Sequence, residues 1–502
     1  MKSVVEKLAE NSVLFKDKTA IIFRDEAITY GELYARVRGF CGFMKRLGIR
    51  KGDLVVCRAS ATPAYWTAYF GVQLAGGIFV PLEKDVSAET MTAVCASLGK
   101  VSAFVAAERD RETAERCGAA FIRTDDVMRV ACGNDASAPV GAYPGADDVG
   151  QILFTTGTTG TAKGVTLSHR YFSYPACRAT DIPYGQDTVM ILPTPTNHLL
   201  SVGRCTMLLQ RGGTAVFTDG LADLGEFYDA LSRRGANAMT LTPSALNYLI
   251  ALMGDELSEF GSRISFIEIG GEKLPAARQK EFMKILPGVR FFNMYASTET
   301  GEICCYEFSR YGASDERIGK PVQGVTVFFS DENGVEIPAD KNDPAFIAVR
   351  SECGMSGYWN AGEATRKVMR GGAVIMSDYG YRDDEGFICF AGRAGDVIIS
   401  GGHKINPAEV ENAALATGLV EDCVCFGVPD EVFGRLAALF VVPAKGIVFD
   451  RAAVKNGIAA RLEGFKVPQI IEQTDAVRRN ANGKTDRRFY SDNIVKSKEI
   501  PV

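Results

Sequence analysis

The sequence has few of the residues that build metal centres and covalent crosslinks. Among 502 residues there are three histidines, and no two of the thirteen cysteines stand at Cys-x-x-Cys spacing. Neither a zinc site nor a disulfide scaffold is therefore expected. Cysteines scattered in this way are typical of small core residues in a reducing compartment, so we expect a cytoplasmic protein.

An excess of charge of one sign is also missing. The chain carries 56 lysines and arginines against 61 aspartates and glutamates, a formal charge of −5. This balance gives no reason to expect nucleic acid or an anionic membrane as a partner. Residues 59–82 carry no charge, but they include Pro63, Gln73 and several glycines. We expect a buried helix there, followed by a strand over Ile78–Val80, and no membrane span.

The pattern along the chain is that of an α/β protein. Ala20–Phe23 is typical of a strand, and Thr29 and Glu32 form a capping-box signature for a helix that Gly48 ends. Short apolar strands then alternate with helical patterns. A glycine-rich, charged segment near residues 392–402 precedes a final α/β stretch. We expect a large N-terminal domain of several subdomains, residues 1–394, and a small, mobile α+β C-terminal domain, residues 395–502.

The most informative segment follows the apolar strand at residues 151–154. Residues 155–164 read Thr-Thr-Gly-Thr-Thr-Gly-Thr-Ala-Lys-Gly. Glycines allow close backbone approach, threonine hydroxyls donate hydrogen bonds and lysine supplies a cation, which together suit a polyphosphate. The residues expected to bind it are Thr155, Thr156, Gly157, Thr158, Thr159, Gly160 and Lys163. This is not the P-loop of NTPases, because a glycine and a further strand pattern follow Lys163.

With other segments, this loop resembles the phosphate-binding signature of the adenylate-forming superfamily, which includes acyl- and aryl-CoA ligases. The other matching segments are Ile28–Leu33, Gly77–Leu82, Gly270–Leu274, Tyr295–Glu299, Ser377–Asp378, Gly392–Asp396 and Asn480–Lys484. They stand in the family's order and span nearly the whole chain. The resemblance implies an acyl-CoA synthetase-like fold and an enzyme that activates a carboxylic acid with ATP and Mg²⁺.

The resemblance also implies roles for individual residues. Lys484 is similar to the family's catalytic lysine, Thr298 to the residue whose hydroxyl meets the α-phosphate, and Glu299 to the magnesium ligand. Asp378 is similar to the carboxylate that accepts ribose hydroxyls, with Arg393 as its cationic companion. The residues that match the adenine site are Gly270, Gly271, Glu272, Asn293, Tyr295 and Ala296.

Two further segments concern the second half of the reaction. At the pivot between the domains, where relatives usually carry Asp or Lys, this chain has Gly395, and glycine leaves the backbone free to turn. Gly401 and Gly402 belong to a segment that resembles the loop lining the pantetheine tunnel of CoA ligases. This resemblance favours free CoA as the acceptor.

The sequence says less about which carboxylic acid is the substrate. His198 matches the family's histidine-or-aromatic position at the acid site, with a core histidine as the alternative, and Gly270 is expected to border the same pocket. Aryl, branched and medium-chain acids stay open. The predicted function is an AMP-forming acid–CoA ligase. The alternatives are a stand-alone adenylation enzyme that loads a phosphopantetheinyl carrier protein, a nucleotide-binding pseudoenzyme, which the presence of Lys484 and Glu299 disfavours, and, more rarely in this superfamily, a luciferase-like oxygenase.

Overall fold

Strands and helices alternate along the chain in the computed structural model, which describes residues 2–132, 141–155, 163–173, 182–221, 223–401, 403–479, 485–487, 489–491 and 493. The helices are α1 (Val4–Leu14), α2 (Tyr30–Arg46), α3 (Pro63–Leu74), α4 (Ala88–Leu98), α5 (Arg111–Arg116), α6 (Val127–Ala131), α7 (His169–Ser173), α8 (Leu199–Arg211), α9 (Leu224–Ser232), α10 (Pro243–Phe260), α11 (Ala276–Ile285), α12 (Phe308–Tyr311), α13 (Gly362–Val368), α14 (Pro407–Leu415) and α15 (Arg451–Ala459).

The strands are β1 (Thr19–Phe23), β2 (Glu26–Thr29), β3 (Leu54–Arg58), β4 (Ile78–Leu82), β5 (Val101–Ala106), β6 (Ala120–Arg123), β7 (Val149–Thr155), β8 (Lys163–Ser168), β9 (Val189–Leu192), β10 (Thr214–Phe217), β11 (Ala238–Leu241), β12 (Phe266–Gly270), β13 (Arg290–Ser297), β14 (Gly301–Glu307), β15 (Arg317–Pro321), β16 (Val325–Ser330), β17 (Ala345–Ser351), β18 (Gly357–Tyr358), β19 (Met369–Arg370), β20 (Ala373–Arg382), β21 (Ile388–Arg393), β22 (Ile398–Ser400), β23 (His403–Ile405), β24 (Val420–Asp430), β25 (Gly434–Pro443) and β26 (Ile470–Gln473).

The first sheet is built from the N-terminal part of the chain. Its strand order is β18-β8-β7-β4-β3-β5-β6. The strands β4, β3, β5 and β6 are parallel, as helical crossovers require. At the other edge, β7 and β8 are antiparallel and pair Thr155 with Lys163. The ends of the threonine- and glycine-rich loop are therefore fixed side by side.

The second sheet is longer and supplies most of the candidate site. Its order is β16-β17-β20-β21-β15-β14-β13-β12-β11-β9-β10-β1-β2, with β19 beside β20. The run from β10 to β13 is parallel, and the ladder becomes antiparallel from β14 onward. Because β12 and β13 are parallel, the segments that follow them leave the sheet at one edge.

The N-terminal helix predictions are confirmed in detail. Thr29 Oγ1 accepts a hydrogen bond from the backbone of Glu32, whose carboxylate accepts in return from the Thr29 N–H, so the capping box forms and begins α2. In the middle of α2, Gly39 lies against α6. A Cβ atom at residue 39 would lie 2.0 Å from Ala131 O, so the two helices pack at a distance that only glycine allows.

The uncharged segment at residues 59–82 forms α3 and β4, and both elements are buried. The prediction of a buried helix and strand is therefore confirmed. Among the described helices, none has the length and apolar character needed to cross a bilayer.

Several cysteines have the predicted role of small core residues. Cys57 and Cys205 are buried free thiols, and burial raises the pKa of each well above its usual value. Such thiols stay protonated and pack like small apolar side chains. Cys132, in contrast, is exposed.

The C-terminal part of the chain has its own hydrophobic cluster, which begins at Ile398 and extends to Ile471. Its main sheet has the order β24-β25-β26, and α14 packs on β24 and α15. A short hairpin, β22 and β23, precedes it. The predicted arrangement of a large N-terminal and a small C-terminal domain is confirmed, while the boundary between residues 394 and 395 stays a prediction.

Candidate active site

The chain turns sharply where β12 leaves the second sheet. Gly270 lies beside Met294 in the parallel ladder. The next residue, Gly271, has a φ of +90°, a left-handed conformation that favours glycine. Glu272 follows, and its Oε2 accepts a hydrogen bond from the Ser244 hydroxyl at 2.6 Å. This contact fixes the turn against α10.

Tyr295 of β13 and Arg393 of β21 both lie against Asp378 of β20, and all three are predicted site residues. The Tyr295 hydroxyl donates a hydrogen bond to Asp378 Oδ2 at 2.5 Å, and Arg393 Nε lies 3.3 Å from Asp378 Oδ1. Burial raises the pKa of the Tyr295 phenol, so the hydroxyl keeps its proton and donates. Asp378 is only 6% exposed, yet its Oδ1 accepts no hydrogen bond from the described residues. A buried acceptor of this kind fits a ligand hydroxyl.

The other two candidates for the adenine site lie on β13. Asn293 is half-buried and pairs with Ile269 of β12. Ala296 is exposed, and a bulge between Tyr295 and Ala296 interrupts the pairing with β14. The bulge bends the end of β13 away from its regular path. Asn293, Tyr295 and Ala296 lie at this end of β13, beside the end of β12 that Gly271 follows.

Thr298 and Glu299 occupy the turn between β13 and β14. The Thr300 N–H donates a hydrogen bond to Ser297 Oγ at 3.2 Å and closes this turn. The backbone carbonyl of Glu299 accepts from the Met355 N–H at 2.7 Å. Both contacts hold the Thr298 and Glu299 backbone in place, directly beyond the strand that carries Tyr295.

Tyr358, which the sequence analysis did not single out, connects this turn with the first sheet. Its hydroxyl donates to Glu299 Oε1 at 2.9 Å, and Lys163 Nζ lies 5.2 Å from its ring centroid, within range of a cation–π contact. Burial raises the pKa of the Tyr358 phenol, and Glu299 adds to the shift. The glycine and aromatic residues at 354–359 are a sequence signal here, but they do not indicate the partners.

Only some of the predicted phosphate-loop residues lie in the described part of the chain. Thr155 ends β7 and Lys163 begins β8, opposite each other, whereas Thr156, Gly157, Thr158, Thr159 and Gly160 lie outside the described residues. A strand and not a helix follows Lys163, which confirms that the segment differs from the P-loop of NTPases.

His198 lies at the start of α8, in the N-cap position. The first turn of this helix approaches the end of β12, since Leu200 Cδ1 is 3.9 Å from the position that a Cβ atom would take at Gly270. The two predicted acid-pocket residues, His198 and Gly270, are thus carried by elements in contact.

A buried ionic group connects α8 with β12 and β14. Arg204 Nε donates to Glu268 Oε2 at 2.6 Å, Arg204 also binds Glu268 Oε1 and Glu302 Oε1, and the Tyr184 hydroxyl donates to Glu268. We call these four residues the Arg204 cluster. Arg204, Glu268 and Glu302 are each at most 6% exposed. The sequence carries no local signal for the cluster, because its members are far apart in the chain.

The C-terminal candidates form two groups. Gly395 is exposed, and apart from its chain neighbours no atom of the described residues lies within 4 Å of the position that its Cβ would take. Gly401 has a φ of +55°, and its N–H donates to the carbonyl of Phe433 at 2.9 Å. Phe433 is itself about half exposed. Gly402 and Lys484 lie outside the described residues.

The described residues fit a magnesium ion that is held partly by a substrate. No group of three or more His, Cys, Asp or Glu side chains among them is placed to hold a metal. Mg²⁺ commonly binds through one or two carboxylates together with phosphate oxygens. Glu299, a carboxylate that accepts from the Tyr358 hydroxyl, suits that mode of binding.

The fold and this rim of strand ends define a nucleotide-dependent enzyme of two unequal domains, and family models agree. The model described as AMP-binding enzyme matches residues 8–359, and the model described as AMP-binding enzyme C-terminal domain matches residues 409–484. The chain belongs to the AMP-binding enzyme family. The resemblance to the adenylate-forming superfamily is thereby confirmed.

Individual relatives cover almost the entire chain. Feruloyl-CoA synthase of an Amycolatopsis species is 29% identical over 476 residues, 93% of this chain and 94% of that protein. The fatty acid–[acyl-carrier-protein] ligase ScoC of Streptomyces coeruleorubidus is 25% identical over 94% of this chain and 93% of its own. The crystal structure of ATP-bound MatB from Rhodopseudomonas palustris superposes with a TM-score of 0.87 at 25% identity, covering 98% of this chain and 99% of that one.

Proposed function

We propose that the protein is an AMP-forming acid–CoA ligase, which converts a carboxylic acid, ATP and CoA into acyl-CoA, AMP and pyrophosphate. The observation that carries the nucleotide part is the buried Oδ1 of Asp378, which receives no hydrogen bond from the described residues although Arg393 and Tyr295 lie beside the carboxylate. A ribose hydroxyl would satisfy it. Membership of the AMP-binding enzyme family supports the same ligand.

The first step joins two anions and therefore needs neutralising charge. A carboxylate oxygen attacks the α-phosphorus of ATP, the bond from that phosphorus to the bridging oxygen breaks, and pyrophosphate leaves with the bonding electrons. Lys163 and the phosphate-loop residues bind the polyphosphate, and the Thr298 hydroxyl meets the α-phosphate. Lys484 stabilises the charge that develops between acid and phosphate, which is where such a cation is most effective. Mg²⁺, held by Glu299, would neutralise phosphate charge.

The adenine ring has a place beside the ribose site. Tyr295 lies with its hydroxyl on Asp378, and the Gly270–Glu272 turn is on the adjacent strand end. We propose that the ring lies between Tyr295 and this turn, with Asn293 and Ala296 at its edge. The glycines remove side chains that would block such close approach.

In the second step the thiolate of CoA attacks the acyl carbon, and AMP leaves. We propose that the C-terminal domain turns about Gly395 between the two steps and that Gly401 and Gly402 then line the path of the thiol arm. The exposed Phe433 ring beside Gly401 supplies an apolar surface there. The domain boundary that we propose is therefore between residues 394 and 395.

Cys353 is disulfide-bonded, but most of the described cysteines are free thiols. This predominance supports a reducing compartment, and we propose that the enzyme is cytoplasmic. A phosphopantetheinyl carrier protein is the alternative acceptor. It presents the same thiol arm as CoA, and one relative is a ligase for an acyl-carrier protein.

The test is to incubate the protein with ATP, Mg²⁺ and a panel of aryl and aliphatic acids, with and without CoA, and to identify products by mass spectrometry. Acyl-CoA and AMP that form together are the expected result. Acyl-adenylate that accumulates and does not react with CoA, but is consumed by a phosphopantetheinylated carrier, would identify the carrier protein as the acceptor. ATP hydrolysis without acyl-adenylate would contradict the proposal.

A further inference from the structure

The Arg204 cluster places charged side chains in a hydrophobic interior, where they are costly to bury. Removing a charged side chain from water costs several kcal/mol per ion, and apolar residues of similar volume would often be as stable or more stable. Arg204 and Glu268 are nevertheless almost completely buried, at 4% and 0% exposure. Stability of the fold alone does not account for charged residues at these positions.

The cluster lies next to the contact between α8 and β12, the two elements that carry the predicted acid-pocket residues. Leu200 and Arg204 are four residues apart and share one face of α8, while Gly270 and Glu268 are two residues apart and share one face of β12. Leu200 Cδ1 approaches Gly270, and Arg204 binds Glu268. The ionic contact therefore repeats the Leu200–Gly270 contact about 6 Å further along the helix.

The third element of the cluster, β14, follows directly after the turn that carries Glu299. Glu302 is the second residue of β14 and lies three residues beyond Glu299. Its side chain binds Arg204 Nη1. Arg204 and Glu268 thus lie on α8 and β12, the elements of His198 and Gly270, and Glu302 lies on β14, the strand that follows the turn of Glu299.

We propose that the Arg204 cluster closes the far end of the acid pocket and limits the enzyme to short or compact acids, such as aryl acids. This inference rests on the proposed function. An acid whose carboxylate meets Thr298 extends from there past His198. Arg204 is six residues beyond His198 on α8, about 9 Å along the helix axis. A longer alkyl chain must separate buried, paired charges and leave them without partners, which is strongly unfavourable.

The test uses acylsulfamoyl-adenosines, stable analogues of the acyl-adenylate, with acetyl, benzoyl, octanoyl and palmitoyl groups. Their Kd values for the full-length protein are measured by calorimetry, beside AMP. We expect benzoyl to bind at least about 100-fold more tightly than palmitoyl, because pocket contacts discriminate by roughly tenfold or more per misfitting methylene. Palmitoyl binding within about threefold of benzoyl would overturn the inference but leave the proposed function standing. Failure of AMP and every analogue to bind would overturn the proposed function, and the inference with it.

A variant tests the cluster itself. Arg204→Ala, Glu268→Ala and Glu302→Ala are combined with Tyr184→Phe, so that no charged group or hydroxyl of the cluster is left behind. We expect the preference for benzoyl over palmitoyl to fall at least about tenfold.

The matched control is Arg58→Ala with Asp110→Ala, which removes a buried ion pair in the first sheet. We expect this control to keep the chain-length preference. An equal loss of preference in both variants would attribute the effect to general loosening and contradict the role of the cluster. If the fourfold variant does not fold, as judged by circular dichroism, the chain-length series on the unmodified protein decides alone.

Discussion

At the scale of single residues, the site depends on a carboxylate that its neighbours leave partly unsatisfied. Among the described residues, Tyr295 donates a hydrogen bond to Asp378, and Arg393 stands beside its other oxygen without donating to it. Such an acceptor is costly to bury until a donor arrives. Binding of a nucleoside would supply that donor, so the protein gains affinity at the point where its own structure is incomplete.

We expect Asp378→Asn to raise the KM for ATP by about 10–100-fold, because hydrogen bonds to a charged acceptor are worth about 1.5–3 kcal/mol. Steady-state kinetics with ATP varied at saturating acid measures the effect. The matched control is Asp383→Asn, which removes a carboxylate of the same sheet that pairs with Arg317 at 2.8 Å. An unchanged KM in Asp378→Asn, or an equal rise in the control, would remove Asp378 from the ribose site.

His169 makes stability depend on pH. Burial lowers its pKa to about 4, although Asp148 opposes the shift. Its pKa in the unfolded chain is about 6.5, so between these values the unfolded state binds more protons. The stabilising contribution is complete above pH 6.5 and is lost as the pH falls towards 4.

We therefore expect the free energy of unfolding to fall by about 2 kcal/mol between pH 8 and pH 5 through His169 alone. The measurement is urea unfolding at both values for the unmodified protein and for His169→Asn, which cannot titrate. Between pH 8 and pH 5, the free energy of unfolding of the variant should fall by about 2 kcal/mol less than that of the unmodified protein. Equal losses in both proteins would mean that the imidazole is protonated in the folded state.

At the scale of secondary-structure elements, glycine decides how closely helices pack. A Cβ at residue 39 of α2 would lie 2.0 Å from Ala131 O, whereas at Gly254 of α10 the nearest atom, Ile250 Cγ2, would be 3.9 Å away. We expect Gly39→Ala to destabilise the protein by about 1–3 kcal/mol through overpacking. Gly254→Ala should be neutral or stabilising by up to about 1 kcal/mol. Differential scanning calorimetry compares them, and similar Tm values would contradict the close α2–α6 contact.

The elements themselves could largely be predicted from sequence, because their signals are local. The capping box at Thr29 and Glu32, the uncharged segment of α3 and β4, and the strand after Lys163 each depend on residues close together in the chain. The pairing of β1 with β10, and the contact of Arg204 with Glu302, 98 residues away, have no local signal. Tyr358 was missed for the same reason, since its partners, Lys163 and Glu299, come from different sheets.

At the scale of the whole molecule, the two domains are joined through the segment after β21. The Asp396 N–H donates to Arg393 O at 3.0 Å, while Gly395 between them is exposed and has open space around its Cα. Further along the chain, Arg487 binds Glu411 of α14 at 2.7 Å and lies 3.3 Å from Asp396. Asp396 thus belongs to the packing of the C-terminal domain, and Gly395 lies exposed in the turn that leads to it.

We expect Gly395→Pro to keep acyl-adenylate formation within about twofold and to reduce acyl-CoA formation about 100-fold, since a fixed φ restricts the turn that must precede thiol attack. Pyrophosphate release in the presence of hydroxylamine measures the first step, and acyl-CoA by mass spectrometry measures the second. Gly395→Ala is the matched control and should keep both steps. If both steps survive in the proline variant, the pivot lies elsewhere.

The nearness of Arg393 to Gly395 has a consequence for the order of events in a catalytic cycle. Arg393, beside the carboxylate that we propose for the ribose, is the last residue of β21, and Gly395, the proposed pivot, follows after a single residue. A nucleotide that engages Asp378 and Arg393 would anchor one side of the pivot while the other side stays free to swing. We therefore expect the two domains to adopt many relative orientations in the nucleotide-free enzyme. With a nucleotide bound, we expect them to rotate about a fixed axis. The thiol would then be admitted only when an adenylate is present to receive it.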